Sequence, residues 1–444
     1  MTPNPLITQS IEKLDYRVTV GDVATETGLK VQEAQKGLVG LAAEAGGHLQ
    51  VSETGDITYL FPENFRTILR NKYLRLRLKE WWDKIWGVLF YLIRISFGIV
   101  LVASIILMAI AILVIIIGAQ MSSDEGDSDN NIGGGGGMSI NFFPLWLFGP
   151  DLFWFFSPGY YEDDEPIRRE RSQRNSRQKS ELSFLEAIFS FLFGDGNPNR
   201  KLEERRWQEI GRVIQNNGGA VVGEQIAPYL DDIDQKSWED EDYMLPVLMQ
   251  FNGVPEVTED GSIIYYFPDL QVKADRQGKQ SVESYLKENY WQFTKASSNQ
   301  KMLAIGLGGA NLVLALMLGS LLSGVTVAQG GFIAFINGIY GILLGYAIGY
   351  LVIPLIRYFW IQQQNKKIVT RNEKRSQRAE EFLKLAGSDQ SFQNKLQQAQ
   401  KFASETILSE EDVAYSTEED LIDQEANRSD KIDEDWKRRL NSDQ

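Results

Sequence analysis

The chain has no cysteine, one histidine in 444 residues, and a shortage of basic residues, with 45 Lys and Arg against 60 Asp and Glu. Without thiols there is no disulfide, thiolate nucleophile, zinc–thiolate site or cysteine-held iron–sulfur cluster. A lone histidine excludes a multi-histidine metal site and leaves little scope for imidazole acid–base chemistry. A formal net charge of −15 argues against a nucleic-acid partner, because phosphate binding needs clustered cations. No Ser/His/Asp grouping, glycosidase-like carboxylate pair or HExxH stretch occurs. The expectation is a non-enzymatic protein with no catalytic, cofactor-binding or metal-binding residues.

What is present is apolar length. Residues 91–118 read YLIRISFGIVLVASIILMAIAILVIIIG, uncharged from Ile95 onward. That exceeds the roughly 20 residues a spanning helix needs. Residues 302–322 and 332–356 are two further runs, joined only by SGVTVAQGG, which predicts a helical membrane hairpin. The amino terminus, MTPNPLITQSIEKLDYR, has neither the basic start nor the apolar core of a signal peptide, so a soluble domain is expected first.

Residues 139–157, SINFFPLWLFGPDLFWFFS, are apolar and aromatic but broken by Pro144, Gly149, Pro150 and Asp151. An interfacial segment and a second crossing are both open, and flanking charge favours the crossing. Arg66, Arg70, Lys72, Arg75, Arg77, Lys79 and Lys84 precede the first run, and Arg168, Arg169, Arg171, Arg174, Arg177 and Lys179 follow the aromatic one. The connector between them has no basic residue but contains Asp124, Glu125, Asp127 and Asp129. The late hairpin repeats the pattern. Four crossings with both termini cytoplasmic or stromal are therefore expected. Trp81, Trp82, Trp86, Trp291 and Trp360, with Tyr358, sit at run ends, where an amphipathic ring suits the membrane interface.

Residues 49–62, LQVSETGDITYLFP, match residues 255–268, PEVTEDGSIIYYFP, at Val51/Val257, Glu53/Glu259, Gly55/Gly261, Ile57/Ile263, Tyr59/Tyr265, Phe61/Phe267 and Pro62/Pro268, a constant offset of 206. Alternating apolar residues around a Gly turn predict a β-hairpin in each. Helical patterns precede both hairpins: 5–15, 20–27 with Thr19 as N-cap and Gly28 as stop, and 31–45 in the first; 203–215, a short AVV strand, 224–230 and 242–251 in the second. That order resembles a winged-helix domain. The expected fold class is an α+β multidomain membrane protein, with two winged-helix-like domains each followed by a helical membrane hairpin.

The boundaries that follow are 1–64 for the first such domain, 65–90 for an amphipathic connecting helix, and 91–157 for the first membrane hairpin with its acidic, glycine-rich loop 119–138. Next come 158–200 for a basic linker and amphipathic helix, 201–270 for the second domain, and 271–301 for a connecting helix. The second hairpin is 302–358, a helical tail 359–403, and an acidic, disordered tail 404–444. DNA reading is disfavoured: helix 30–45 sets Lys30 and Lys36 against Glu33 and Glu44, and its counterpart near WEDEDYMLPVLMQF is acidic.

Gly341, Gly345 and Gly349 fall four apart, a small-residue ridge for close helix approach, within the chain or between copies as a homo-oligomer. Asn311 needs a partner in lipid, and Tyr340 lies at similar depth in the next helix. No ionisable residue lies within the runs beyond Arg94 at an end, which disfavours a channel or pump. GLGGAN at 306–311 lacks the strand and third glycine of a dinucleotide site, and the five glycines at 133–137 read as a flexible connector. FLEAIFSFLF at 184–193 is an amphipathic helix that lies on the membrane or packs on the second soluble domain. Asp195, Asn197 and Asn199 read as a turn rather than a cation loop. His48 reads as a surface or turn residue.

The run FSFLFGDGNPN at 189–199, with FLEAIFS before it, resembles a family of uncharacterised membrane proteins of cyanobacteria and plastids. Some plant relatives carry an iron–sulfur cluster biosynthesis label, a role for which this chain has no cysteine. The resemblance implies a thylakoid or plasma membrane and no reaction. The expected role is a scaffold or assembly factor in contact with membrane lipid and with a protein of some membrane complex. A lipid or small-solute carrier and a membrane-tethered transcription regulator are the alternatives.

Overall fold

The computed structural model describes residues 4–72, 74–122, 183–231, 233, 235–275, 278–322, 331–409, 412–420, 422–424 and 436–437. The expected crossing at 139–157, nearly all of loop 119–138 and the basic part of 158–200 lie outside the described residues. The protein is helix-rich with small sheets. Among the described residues three helices are long and apolar enough to cross a membrane. The chain divides into two units, one of Met1–Glu80, Asn199–Asn289 and Lys367–Gln444, the other of Trp81–Pro198 and Tyr290–Lys366.

The first unit begins with α1 (Pro5–Lys13), β1 (Arg17–Thr19), α2 (Val20–Thr27) and α3 (Val31–Ala45), then β2 (His48–Ser52) and β3 (Ile57–Leu60). Local chemistry sets these limits. Thr19 accepts from the Asp22 N–H while the Asp22 carboxylate accepts from the Thr19 N–H, a reciprocal cap. Gly28 and Gly46 end α2 and α3 in the left-handed conformation. α3 buries Val31, Ala34, Leu38, Leu41, Ala42 and Ala45, the face its period predicts.

A second lobe follows: α7 (Leu202–Asn216), β4 (Ala220–Val221), α8 (Gly223–Ile226), α9 (Gln235–Asp240), α10 (Leu245–Phe251), β5 (Val254–Val257) and β6 (Ile263–Tyr266). Strand order is β1-β3-β2 in one sheet and β4-β6-β5 in the other. The hairpins share a register: His48 pairs with Leu60 and Val51 with Ile57, as Val254 pairs with Tyr266 and Val257 with Ile263. The turn glycines Gly55 and Gly261 have φ of 89° and 81°. Gly47 lies under the Phe61 ring and Gly253 under Phe267, so close that a Cβ would stand 2.8 and 2.3 Å from a ring carbon.

The expected domains 1–64 and 201–270 are not separate bodies. One apolar core runs from Ile7 through Phe65 to Ile210, Phe251, Phe267 and Leu286. Helix α7 packs on α2, with Trp207 against Gly28, and Gln250 donates to the Gly28 carbonyl at 2.7 Å. Residues 65–90 hold α4 (Phe65–Lys72) and the start of α5 (Leu74–Ser122), which continues into the first apolar run.

Among the described residues the connecting helix expected at 271–301 is not found. After α11 (Pro268–Gln271) and β7 (Val272–Lys273) the described residues 274–275 and 278–297 are irregular. Their peptide groups are claimed by side chains instead of by i→i+4 bonds. Asn372 clamps Glu288, donating to its carbonyl at 2.9 Å and accepting from its N–H at 2.9 Å. Asn216 grips Gln280 and Asn199 grips Asn289 in the same two-bond way. Arg375, 1% exposed, donates to the Leu286 carbonyl at 2.9 Å and pairs with Asp231 and Glu288.

The tail 404–444 is not wholly disordered. Beyond α14 (Gln390–Phe402), β8 (Thr406–Ile407) pairs in parallel with β7, and β9 (Val413–Ser416) adds antiparallel to β2. Val413 and Tyr415 give the alternation a strand needs, and an open sheet edge supplies the partner groups.

The second unit holds the remainder of α5, α6 (Phe184–Phe193), α12 (Ser298–Leu321) and the apolar part of α13 (Gly331–Ser388). Leu101, Ile105, Met108, Ile112 and Ile115 form a buried seam on α5, while Ile99, Ile110, Leu113 and Ile117 face outward. A helix apolar on all sides suits lipid.

Replacement of Asn372 by Ala should lower unfolding free energy by about 2 kcal/mol or more, since it strands a buried N–H and carbonyl. Asn199→Ala, at an exposed clamp, should cost about 1 kcal/mol or less. Urea unfolding of the detergent-solubilised chain, followed by Trp fluorescence, measures both.

Candidate functional site

Asp195 is the polar centre of the second unit. Helix α6 starts with a Ser183–Glu186 capping box and stops at Gly194, with φ of 81°, which turns Asp195 back beneath the helix. Its Oδ1 accepts from Arg94 Nη2 at 3.0 Å. Its Oδ2 accepts from Ser190 Oγ at 2.6 Å and from the Lys295 N–H at 2.9 Å. Ser190 and Thr294 hydroxyls meet at 2.6 Å. Asp195 thus serves an ion pair with Arg94.

Arg357 lies at the other side of the α6 terminus. Its Nη1 donates to the Phe191 carbonyl at 2.7 Å, and its guanidinium carbon lies 4.5 Å from the Phe293 ring centre. A cation on the last carbonyls of a helix also opposes the helix dipole. Beside it runs a groove of about 400 Å³, lined by Leu192, Phe193, Ile353, Ile356, Arg357 and Trp360. Helix α6 itself packs into the apolar helices: Leu185 sits against Gly98, and Ile188, Phe191 and Leu192 share a core with Leu101, Ala304 and Tyr350.

The expected packing residues are placed differently. Gly341 and Gly345 have open space where a Cβ would point, and Gly349 meets only Ile353 of its own helix. The close approaches fall on α12, where Tyr350 covers Gly308 and the Tyr340 hydroxyl lies against Gly319. Gly308 and Gly319 are three helical turns apart, and a ring-sized knob on α13 fills each hole. Asn311 is fully buried, but its Oδ1 accepts from Ser104 of α5 at 2.9 Å, so its partner is not Tyr340. Trp81, Trp82 and Trp86 are exposed along α5, and Trp291 meets Trp360 edge-on at 5.0 Å. Asn365 clamps the Trp291 backbone through two bonds.

The first unit has a second buried charge. Lys395 of α14 donates to Glu224 at 2.9 Å and to Glu241 at 2.9 Å, and the Tyr265 hydroxyl donates to Glu241 at 3.0 Å. Burial alone would lower the Lys395 pKa, but the two carboxylates outweigh it and raise it. Burial and the same carboxylates push the Tyr243 and Tyr265 hydroxyls well above the usual tyrosine range. His48 is on β2, with Nδ1 3.2 Å from the Thr417 carbonyl. Among the described residues no group of three or more His, Cys, Asp or Glu could hold a metal.

The two lobes differ in what they leave open. In the first, β9 covers the free edge of β2. In the second, Leu245 and Met249 of α10 are 58% and 69% exposed, and Val254 and Val257 of β5 follow at 39% and 66%. Sequence reasoning passed over these four, since in α10 they lie beside the buried Val247 and Phe251.

A Lys395→Met variant should lose about 3–5 kcal/mol at neutral pH, because two buried carboxylates are left uncompensated. Adding Glu224→Gln, or acidifying until carboxylates take up protons, should restore part of that. For the native chain the raised Lys395 pKa places its contribution at and below the ordinary lysine range, and that contribution fades as pH rises past it. Unfolding midpoints across pH give the comparison.

No protein-family profile and no solved structure matches the chain. It is 38% identical over 428 residues, 94% of this chain and 79% of the other, to the Arabidopsis thaliana protein described as "Uncharacterized protein At5g03900, chloroplastic". At that identity and coverage, the chain belongs to the same family as this chloroplast protein.

Proposed function

We propose that the chain is a non-enzymatic scaffold or assembly factor of a photosynthetic cell's membrane, thylakoid or plasma membrane, that holds a protein partner on its soluble unit. The observation that carries this reading is the uncovered apolar face of α10 and β5: Leu245, Met249, Val254 and Val257 in an otherwise acidic soluble unit. The matching strand order, hairpin register and Gly–Phe contacts support an internal duplication of a winged-helix type of module. Basic residues are scarce on the exposed helices: α10 has none and α3 exposes Lys36 beside Glu33. On α3 the exposed residues include Gln32, Glu33, Gln35, Lys36 and Val39, a poor surface for phosphates.

Connectivity supports a membrane topology. Residues 1–80, 199–289 and 367–444 build one unit: the first two share one core, and Phe392 and Ala399 share a smaller one with Val222 and Ile264. A water-soluble body cannot straddle a bilayer, so an even number of crossings separates each pair of neighbouring segments. Between 289 and 367 there are two candidate spans, and before 199 there is one among the described residues. The Arg94–Asp195 ion pair supports a return of the chain to the side where α5 enters. Four crossings with both termini on one face, and Trp81, Trp82, Trp86, Trp291 and Trp360 near the interfaces, satisfy these constraints.

A double variant Leu245→Glu/Met249→Glu should fold with an unchanged unfolding midpoint yet lose a protein that co-purifies stoichiometrically with the native chain in mild detergent. Retention of that protein by the variant, or isolation of the native chain alone, would sink the docking reading. In the cysteine-free background, single cysteines at Ser128 and Ser176 should react with impermeant maleimide from opposite faces of sealed vesicles. Ser176 and Ser429 should react from the same face.

A further inference from the structure

We infer that the groove beside Arg357 is a binding site for one anionic membrane lipid, with the charged headgroup at the guanidinium and an acyl chain along Leu192, Phe193, Ile353, Ile356 and Trp360. Four observations combine. The walls are apolar apart from the arginine. Arg357 is the first charge after the run 332–356, the depth at which a bilayer passes from hydrocarbon to headgroup. The Trp291–Trp360 contact and Phe293 mark an aromatic layer at that level.

The fourth observation is charge. Asp195 is already shared by Arg94, Ser190 and the Lys295 N–H, whereas Arg357 bonds only to the neutral Phe191 and Ser190 carbonyls. Among the described residues no carboxylate lies within ion-pair distance of Arg357, and its Nη2 has no acceptor. Two guanidiniums around one carboxylate leave a positive charge at the headgroup level. A phosphate or sulfonate headgroup offers the acceptors that an arginine fork fits. Its acyl chain offers the contact that an apolar groove open to lipid requires.

The inference rests on the second unit being membrane-embedded, and the cysteine labelling above tests that premise separately. The full chain is purified in neutral detergent, delipidated, and titrated with phosphatidylglycerol or phosphatidylcholine, with bound lipid counted by native mass spectrometry. One phosphatidylglycerol should be retained in preference to phosphatidylcholine. Inorganic phosphate at the same concentration should not displace it, which separates a lipid site from a phosphate site.

Arg357→Gln should weaken retention about tenfold, the size of one charge-assisted hydrogen bond. Lys301→Gln, a cation at the end of another span and outside the groove, should leave retention unchanged. Because Arg357 also holds the end of α6, Ile353→Trp provides a second route: it fills the groove without touching the arginine's bonds, and should expel the lipid. Equal retention of both lipids, displacement by free phosphate, a groove that binds no lipid, or full retention in both Arg357→Gln and Ile353→Trp would each overturn the proposal.

Discussion

A peptide group removed from water must find a hydrogen-bond partner, and in this protein side-chain amides supply many of the partners that secondary structure does not. Asn216, Asn199, Asn372 and Asn365 each take both the N–H and the carbonyl of a residue between 280 and 291. Each clamp repeats, with a side chain, the two-bond exchange of an antiparallel strand pair. Glu288 is a nexus for this: its backbone is held by Asn372 and its carboxylate by Arg371 and Arg375. Without these amides an irregular stretch of over twenty residues would leave buried polar groups unmatched.

The two lobes of the first unit agree in their sheets and differ at their margins. Their sheets keep order, register and the tight Gly–Phe contact, all of which are fixed by backbone geometry. Their outer surfaces differ. One sheet edge took the chain's own terminal strand, while the other kept Val254 and Val257 in the open and placed Pro255 between them, where a missing N–H limits uncontrolled strand addition.

Local signals in the sequence translated into structure where the physics is local. The reciprocal cap at Thr19, the buried face of α3, the Gly55 and Gly261 turns and the long apolar runs were all legible, because each depends on residues within a few positions. The connecting helix expected at 271–301 was misread, because its fate is set by asparagines and arginines up to ninety residues away. Within the chain the glycine ridge finds no close partner, for a related reason. Gly341, Gly345 and Gly349 carry the right spacing, but close approach also needs an opposing knob, and the tyrosines facing glycine sit over Gly308 and Gly319. The groove beside Arg357 joins residues from α6 and α13 that are far apart in the chain, with no common motif.

The pairing of β9 with β2 joins residues about 365 positions apart. Ribosomal synthesis delivers β2 long before β9, at some 5–20 residues per second, so β2 waits with a bare edge while the intervening residues are made. The three candidate spans among the described residues are therefore all synthesised before that sheet acquires its outermost strand. Closure of this edge is a physical marker that synthesis has passed residue 416.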